Sequence, residues 1–120
     1  MSVPAPVEIR LRTKSRVLEI TFDDGAHYKL PAEYLRVHSP SAEVKGHGVE
    51  TGVLVTGKED VAVTAVEPVG QYAVRLRFDD GHDTGLYTWK YLRELGSERE
   101  ARWLAYLQRL EKAGLQRHGP

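Results

Sequence analysis

The chain contains one segment twice, and that duplication constrains its fold more than any other feature. Val17-Leu18-Glu19-Ile20-Thr21-Phe22-Asp23-Asp24-Gly25 returns as Ala73-Val74-Arg75-Leu76-Arg77-Phe78-Asp79-Asp80-Gly81. Each copy runs on to a Tyr-Leu-Arg, at Tyr34-Leu35-Arg36 and Tyr91-Leu92-Arg93. The copies stand 56 residues apart from Phe22 to Phe78 but 57 apart from Tyr34 to Tyr91, so the second carries one extra residue. Two copies are too few for a solenoid, whose core comes from stacked neighbours. They predict a duplicated strand–turn–strand–helix unit.

Side-chain parity sets the register of each hairpin. A three-residue Asp-Asp-Gly loop places Phe22 opposite Ala26, Ile20 opposite Tyr28 and Leu18 opposite Leu30 on one face. The other face then sets Glu19 against Lys29, which carry opposite charges. In the second copy the same rule sets Phe78 opposite His82, Val74 opposite Leu86 and Arg77 opposite Asp83. If the strand continues that far, Tyr87 and Trp89 then have outward parity, and either form a binding patch or are covered by the C-terminal helix with its Trp103. The acidic pairs Asp23-Asp24 and Asp79-Asp80 read as turn caps ahead of a glycine.

Around the hairpins, Val7, Ile9 and Leu11 alternate with Glu8, Arg10 and Arg12, a half-buried strand; Arg10, Arg12 and Lys14 form a solvated face. Val61 to Val66 reads as another strand, Glu67-Pro68-Val69-Gly70 as a turn, and the stretch from Tyr72 to Phe78 as the strand that follows. His38 to Gly57, rich in glycine, reads as loop with a short strand at Val53-Leu54-Val55. Pro31 suits the first turn of one short helix, and Thr88 caps a second. Ser97 and Glu100 have capping-box spacing before an apolar stripe of Trp103, Leu104, Leu107 and Leu110, and Gly114 is a stop. The class is α+β: a duplicated β-hairpin and short-helix unit forming a mainly antiparallel sheet, plus a C-terminal amphipathic helix. Residues 1–96 form the domain, 97–115 a helix packed on or extending from it, and 116–120 a frayed tail.

Composition narrows the functions available. Seventeen basic and 17 acidic residues balance, against the cationic excess of nucleic-acid and membrane-surface binders. With no cysteine there are no disulfides, no thiolate catalysis and no cysteine-ligated zinc or iron–sulfur cluster. No apolar run approaches a membrane span and the first residues lack a signal-peptide core, so a cytoplasmic location is expected. The five histidines make no His-Glu-x-x-His array, Gly46-His47-Gly48 precedes no helix, and Ser39 and Ser41 lack a nucleophile-elbow context. His82 falls on the core side beside Phe78. No catalytic set emerges, and the expectation is that the chain is not an enzyme.

Three blocks carry a family resemblance: Leu35-Arg36-Val37-His38-Ser39-Pro40-Ser41-Ala42-Glu43-Val44, Glu67-Pro68-Val69-Gly70, and Phe78-Asp79-Asp80-Gly81-His82-Asp83-Thr84-Gly85-Leu86-Tyr87-Thr88-Trp89. From about Val7 to Leu95 the chain resembles small bacterial proteins of unknown function related to the N-terminal domain of gamma-butyrobetaine hydroxylase. In the hydroxylases that domain accompanies a separate iron- and 2-oxoglutarate-dependent catalytic domain, so the resemblance implies the accessory fold without the oxygenase. The hydroxylase domain resembles a zinc site of three cysteines and one histidine. Its cysteine positions fall here at Ser39, Ser41 and Val44 and its histidine at His82, and serine and valine do not replace thiolates on zinc. No cofactor is therefore expected. Similar domains are fused to P-loop carriers of iron–sulfur cluster assembly, which implies a docking role.

Two expectations follow. The first is a non-enzymatic interaction module with an unidentified protein partner, and neither nucleic acid nor membrane; its patch comprises Arg36, Asp80, Asp83, Tyr87, Trp89 and Arg93. The alternative is a metal- or small-ligand-binding protein that uses His82 with Asp80 or Asp83 and with His38.

Overall fold

The computed structural model describes residues 4–40 and 54–117. Its elements run β1 (Pro6–Arg12), β2 (Val17–Phe22), β3 (His27–Pro31), α1 (Ala32–Val37), β4 (Val63–Val69), β5 (Ala73–Phe78), β6 (Leu86–Thr88), α2 (Trp89–Ser97) and α3 (Arg99–Lys112). The described strands make two three-stranded antiparallel sheets, ordered β1-β2-β3 and β4-β5-β6. The class is α+β, and the repeat unit is larger than its sequence echo. β4 lies 57 residues after β1, so each half is three strands followed by a short helix. Even the irregularities repeat: pairing slips between Pro6 and Glu8 in one half and between Val63 and Ala65 in the other.

The first hairpin has the expected register, Leu18 with Leu30, Glu19 with Lys29 and Ile20 with Tyr28. Its turn closes by Phe22 N–H to the Ala26 carbonyl, with Gly25 at φ +91°, a left-handed conformation that glycine adopts without steric cost. The second hairpin starts alike, Phe78 N–H reaching the His82 carbonyl. It then departs from parity, because Val74 pairs with Tyr87 and not with Leu86. The extra residue sits in the irregular stretch before β6, and this one-residue slip turns Tyr87 inward and leaves Leu86 41% exposed.

Five further expectations need correction. Glu67, Pro68 and Val69 belong to β4 and not to a turn. β4 is a sheet edge, where a missing N–H costs no ladder bond. Val7 sits in the bulge of β1 and is 66% exposed, so only Ile9 and Leu11 of that strand pack inward. Ser97 closes α2 and bonds back to the Glu94 carbonyl, and α3 begins after Glu98 with no side-chain cap; no capping box forms. On α3 the buried positions are Tyr106 and Leu110, with Trp103 partly buried, while Leu104 and Leu107 are exposed. Leu54 and Val55 lie in no strand, and Val53, like the expectations for residues 41–53, falls outside the described residues. Pro31 ends β3 just ahead of α1. Thr88 caps α2, its hydroxyl accepting from Tyr91 N–H at 3.0 Å, and Gly114 ends α3 with Leu115 N–H on the Leu110 carbonyl.

One core joins the halves. Leu18, Ile20, Phe22 and Leu30 pack with Leu76, Phe78, Tyr87, Leu35, Leu92 and Leu95 in a single cluster. The polar seams across it are reciprocal. Tyr34 donates to the Leu95 carbonyl at 2.7 Å, and Tyr91, its repeat counterpart, donates to the carbonyl of His38, the counterpart of Leu95. Arg36 pairs with Asp80, and Arg93 with Asp24, again as counterparts. Each half thus closes the other's helix end and turn.

Close packing fixes one helical glycine. A Cβ at Gly96 would lie 2.4 Å from the Tyr28 ring. Alanine in a helix ordinarily gains about 1 kcal/mol over glycine; here Gly96→Ala is expected to lose about 1–3 kcal/mol through overpacking. Urea denaturation decides, and a stabilised variant would contradict this contact. By the same method Tyr34→Phe is expected to cost about 1–2 kcal/mol, the hydroxyl's bond to a buried carbonyl.

Candidate functional site

The two halves differ where the second hairpin carries its extra residue. In the first half Tyr28 packs its ring on Gly96. Their counterparts, 57 residues on and 57 residues back, are Gly85 and Ser39. A Cβ at Gly85 would come within 2.5 Å of Ser39 Oγ and 3.2 Å of the Tyr87 ring. An aromatic contact in one half is therefore a small polar corner in the other. There Ser39, 3% exposed, lies 2.8 Å by its Oγ from His82 Nε2. His82 replaces Ala26 of the first half and lies beside Phe78, ring centroids 6.0 Å apart.

Charges surround this corner in fixed pairs. Asp80 accepts from Arg36 Nε at 2.9 Å, from Lys58 Nζ at 2.6 Å and from the His82 N–H at 3.1 Å. Partial burial pushes its carboxyl up, but the Lys58 ammonium, the His82 N–H and the Arg36 guanidinium outweigh it and hold the group well below the carboxylate range. Arg36 Nη1 is buried without a hydrogen-bond partner. In the mirror site Arg93 holds Asp24 at 2.6 Å, which together with the Ala26 N–H lowers that carboxyl to about 2. The Arg93 guanidinium also stacks 5.1 Å from the Phe22 ring centroid. Both turn aspartates cap amides as their spacing implies.

The remaining expected site residues are scattered. Asp83 pairs with Arg77 at 3.0 Å. Tyr87, given outward parity by the sequence, is fully buried and donates to the Leu35 carbonyl at 2.6 Å. It contributes no surface, because the extra hairpin residue reverses its face. Trp89 is half-buried, and its indole N–H donates to the Gln71 carbonyl. His38 packs on Tyr34 with Nδ1 against that residue's carbonyl, and burial lowers its pKa. His38, His82 and Asp83 do not converge, and among the described residues no three histidine or carboxylate groups could hold a metal ion. Of the positions aligned with the zinc ligands, Ser39 and His82 do meet, through a hydrogen bond; Ser41 and Val44 lie outside the described residues.

A second feature escaped the sequence reading. A groove of about 1380 Å³ runs between β3 and α3, lined by Tyr28, Pro31, Tyr34, Trp103, Leu104 and Leu107. Leu104 is 57% and Leu107 36% exposed along its wall. Arg99 crosses one end to the Lys29 carbonyl, and Arg117 binds Glu33 at the other. The sequence signal was present: Trp103, Leu104, Leu107 and Leu110, with Tyr106, make an apolar band too broad for one buried face. Among the described residues no helix is long and apolar enough to cross a membrane.

A family model described as gamma-butyrobetaine hydroxylase-like, N-terminal, matches residues 9–93. Two solution NMR structures are similar. One, 54% identical, covers 95% of this chain and 85% of its own with a TM-score of 0.82. The other, 49% identical, covers 97% and 91% with a TM-score of 0.83. A crystal structure of a protein of unknown function from Acidithiobacillus ferrooxidans, placed in the DUF971 family, is 48% identical and covers 78% of this chain and 93% of its own, with a TM-score of 0.65. No curated protein matches the chain.

The turn aspartates set an acid limit. Both carboxyls titrate lower in the folded state than their ordinary 3.8, so the stability they confer is present above that value and lost as pH falls through the folded ones, about 2 for Asp24 and lower still for Asp80. Melting temperature should drop across that window, and Asp24→Asn with Asp80→Asn should flatten the drop. An unchanged acid limb in the double variant would refute the assignment.

Proposed function

Because the chain belongs to the gamma-butyrobetaine hydroxylase-like N-terminal family, we propose that it is a non-enzymatic accessory module that acts by docking another protein. The observation that carries this reading is the groove between β3 and α3. Small-molecule pockets enclose roughly 300–1,000 Å³, and this groove, at about 1380 Å³ and open along its length, suits a peptide segment better. Exposed leucines beside the partly buried Trp103 and Tyr28 are the composition of a protein-binding surface. The polar groups with chemical potential are occupied structurally: Tyr34, Tyr87 and Tyr91 close carbonyls, and Asp80 joins Arg36 to Lys58.

The docking surface is thus placed, in this reading, at the groove between β3 and α3 and not on the second hairpin. The partner class implied by the resemblance is the iron–sulfur cluster carrier machinery or an oxygenase, to which similar domains are joined.

Leu104→Asp with Leu107→Asp is the test. Both side chains are solvent-exposed, so the melting temperature should shift little, while affinity capture from the source cell should lose a partner that the unsubstituted chain retains. Equal capture by both chains would refute docking at this groove.

A further inference from the structure

The groove ends at a buried carboxylate. Glu33 stands in the first turn of α1 and is only 8% exposed. A carboxylate so placed is costly unless paired. Its partner comes from 84 residues away: Arg117 donates Nε to one oxygen at 2.7 Å and Nη2 to the other at 2.5 Å. The same guanidinium lies 5.2 Å from the Trp103 ring centroid. A carboxylate accepting in a fork beside an indole face is a receptor for a planar cation, and it selects guanidinium over ammonium by geometry and stacking. The group that fills it hangs on the short coil Leu115-Gln116-Arg117, beyond the Gly114 stop of α3.

We propose that Glu33 and Trp103 form an arginine-anchor pocket for an extended partner segment that carries an arginine, and that Arg117 fills the pocket when the partner is absent. This rests on the docking reading above and names its occupant. Charge complementarity identifies the anchor, since with Arg117 displaced the buried Glu33 carboxylate needs another single cation to match it. The groove identifies the rest, because it leads from this pocket along Trp103 to Leu104 and Leu107. Arg117 is the chain's own occupant of the anchor, while Leu115, held by its N–H on the Leu110 carbonyl, lies outside the groove. A tether as short as this tail holds its arginine at an effective concentration on the order of millimolar, so a free peptide competes poorly until Arg117 is removed.

The test uses the full chain and the peptide acetyl-Gly-Leu-Gln-Arg-amide, followed by the Trp103 indole N–H resonance. The Arg117→Ala chain should bind this peptide at least about tenfold more tightly than the unsubstituted chain, given the millimolar tether. Peptides ending in lysine or alanine should bind more weakly, and adding Glu33→Gln should abolish binding. Arg117→Lys keeps Glu33 paired should the alanine variant fail to fold, and it should bind the peptide with intermediate affinity. Equal affinity for substituted and unsubstituted chains, binding that survives Glu33→Gln, or no saturable binding would each overturn the proposal. If Leu104→Asp with Leu107→Asp still loses a captured partner in that event, the groove docks a protein without this anchor.

Discussion

Tyr34 gives its hydroxyl proton to the Leu95 carbonyl and Tyr91 gives its own to the His38 carbonyl, so the last turn of each short helix is finished by the other half. The Arg36–Asp80 and Arg93–Asp24 pairs repeat the exchange at the hairpin turns. Three strands and one short helix, under about 40 residues in each half, bury too little to stand alone. Each half therefore takes its remaining stability from its copy. Burial raises the pKa of both tyrosines, so the hydroxyls stay protonated as donors across the physiological range.

From this symmetry the differences gain meaning. Where one half stacks Tyr28 on Gly96, the other places Gly85 against Ser39 and builds a serine–histidine contact under a fixed charge triad. α3 has no counterpart after α1 among the described residues, and it is the element that walls the groove. The proposed accessory role assigns the doubled scaffold to rigidity and the added helix to the groove.

Much of the scaffold was legible in the sequence, and what was not has specific causes. The first hairpin could be read to the residue because turn chemistry and pairing are local there. The second could not, since parity reveals an extra residue without its position, and the slip reverses Tyr87 and Leu86 together. Pro68 reads as a turn until the sheet order makes β4 an edge. Trp103, Leu104 and Leu107 read as one buried stripe, although burial of Tyr106 and Leu110 assigns the inward face and leaves the leucines out. The Glu33–Arg117 contact joins residues 84 apart, with no pattern between them to announce it.

Native-state hydrogen exchange across β2 and β5 tests the reciprocal account most directly. If the halves complete each other, the slowest amides of both strands exchange through one global opening with the same free energy, and Tyr91→Phe lowers both equally. Separate opening free energies, or a loss confined to one strand, would show two independently stable halves and contradict it.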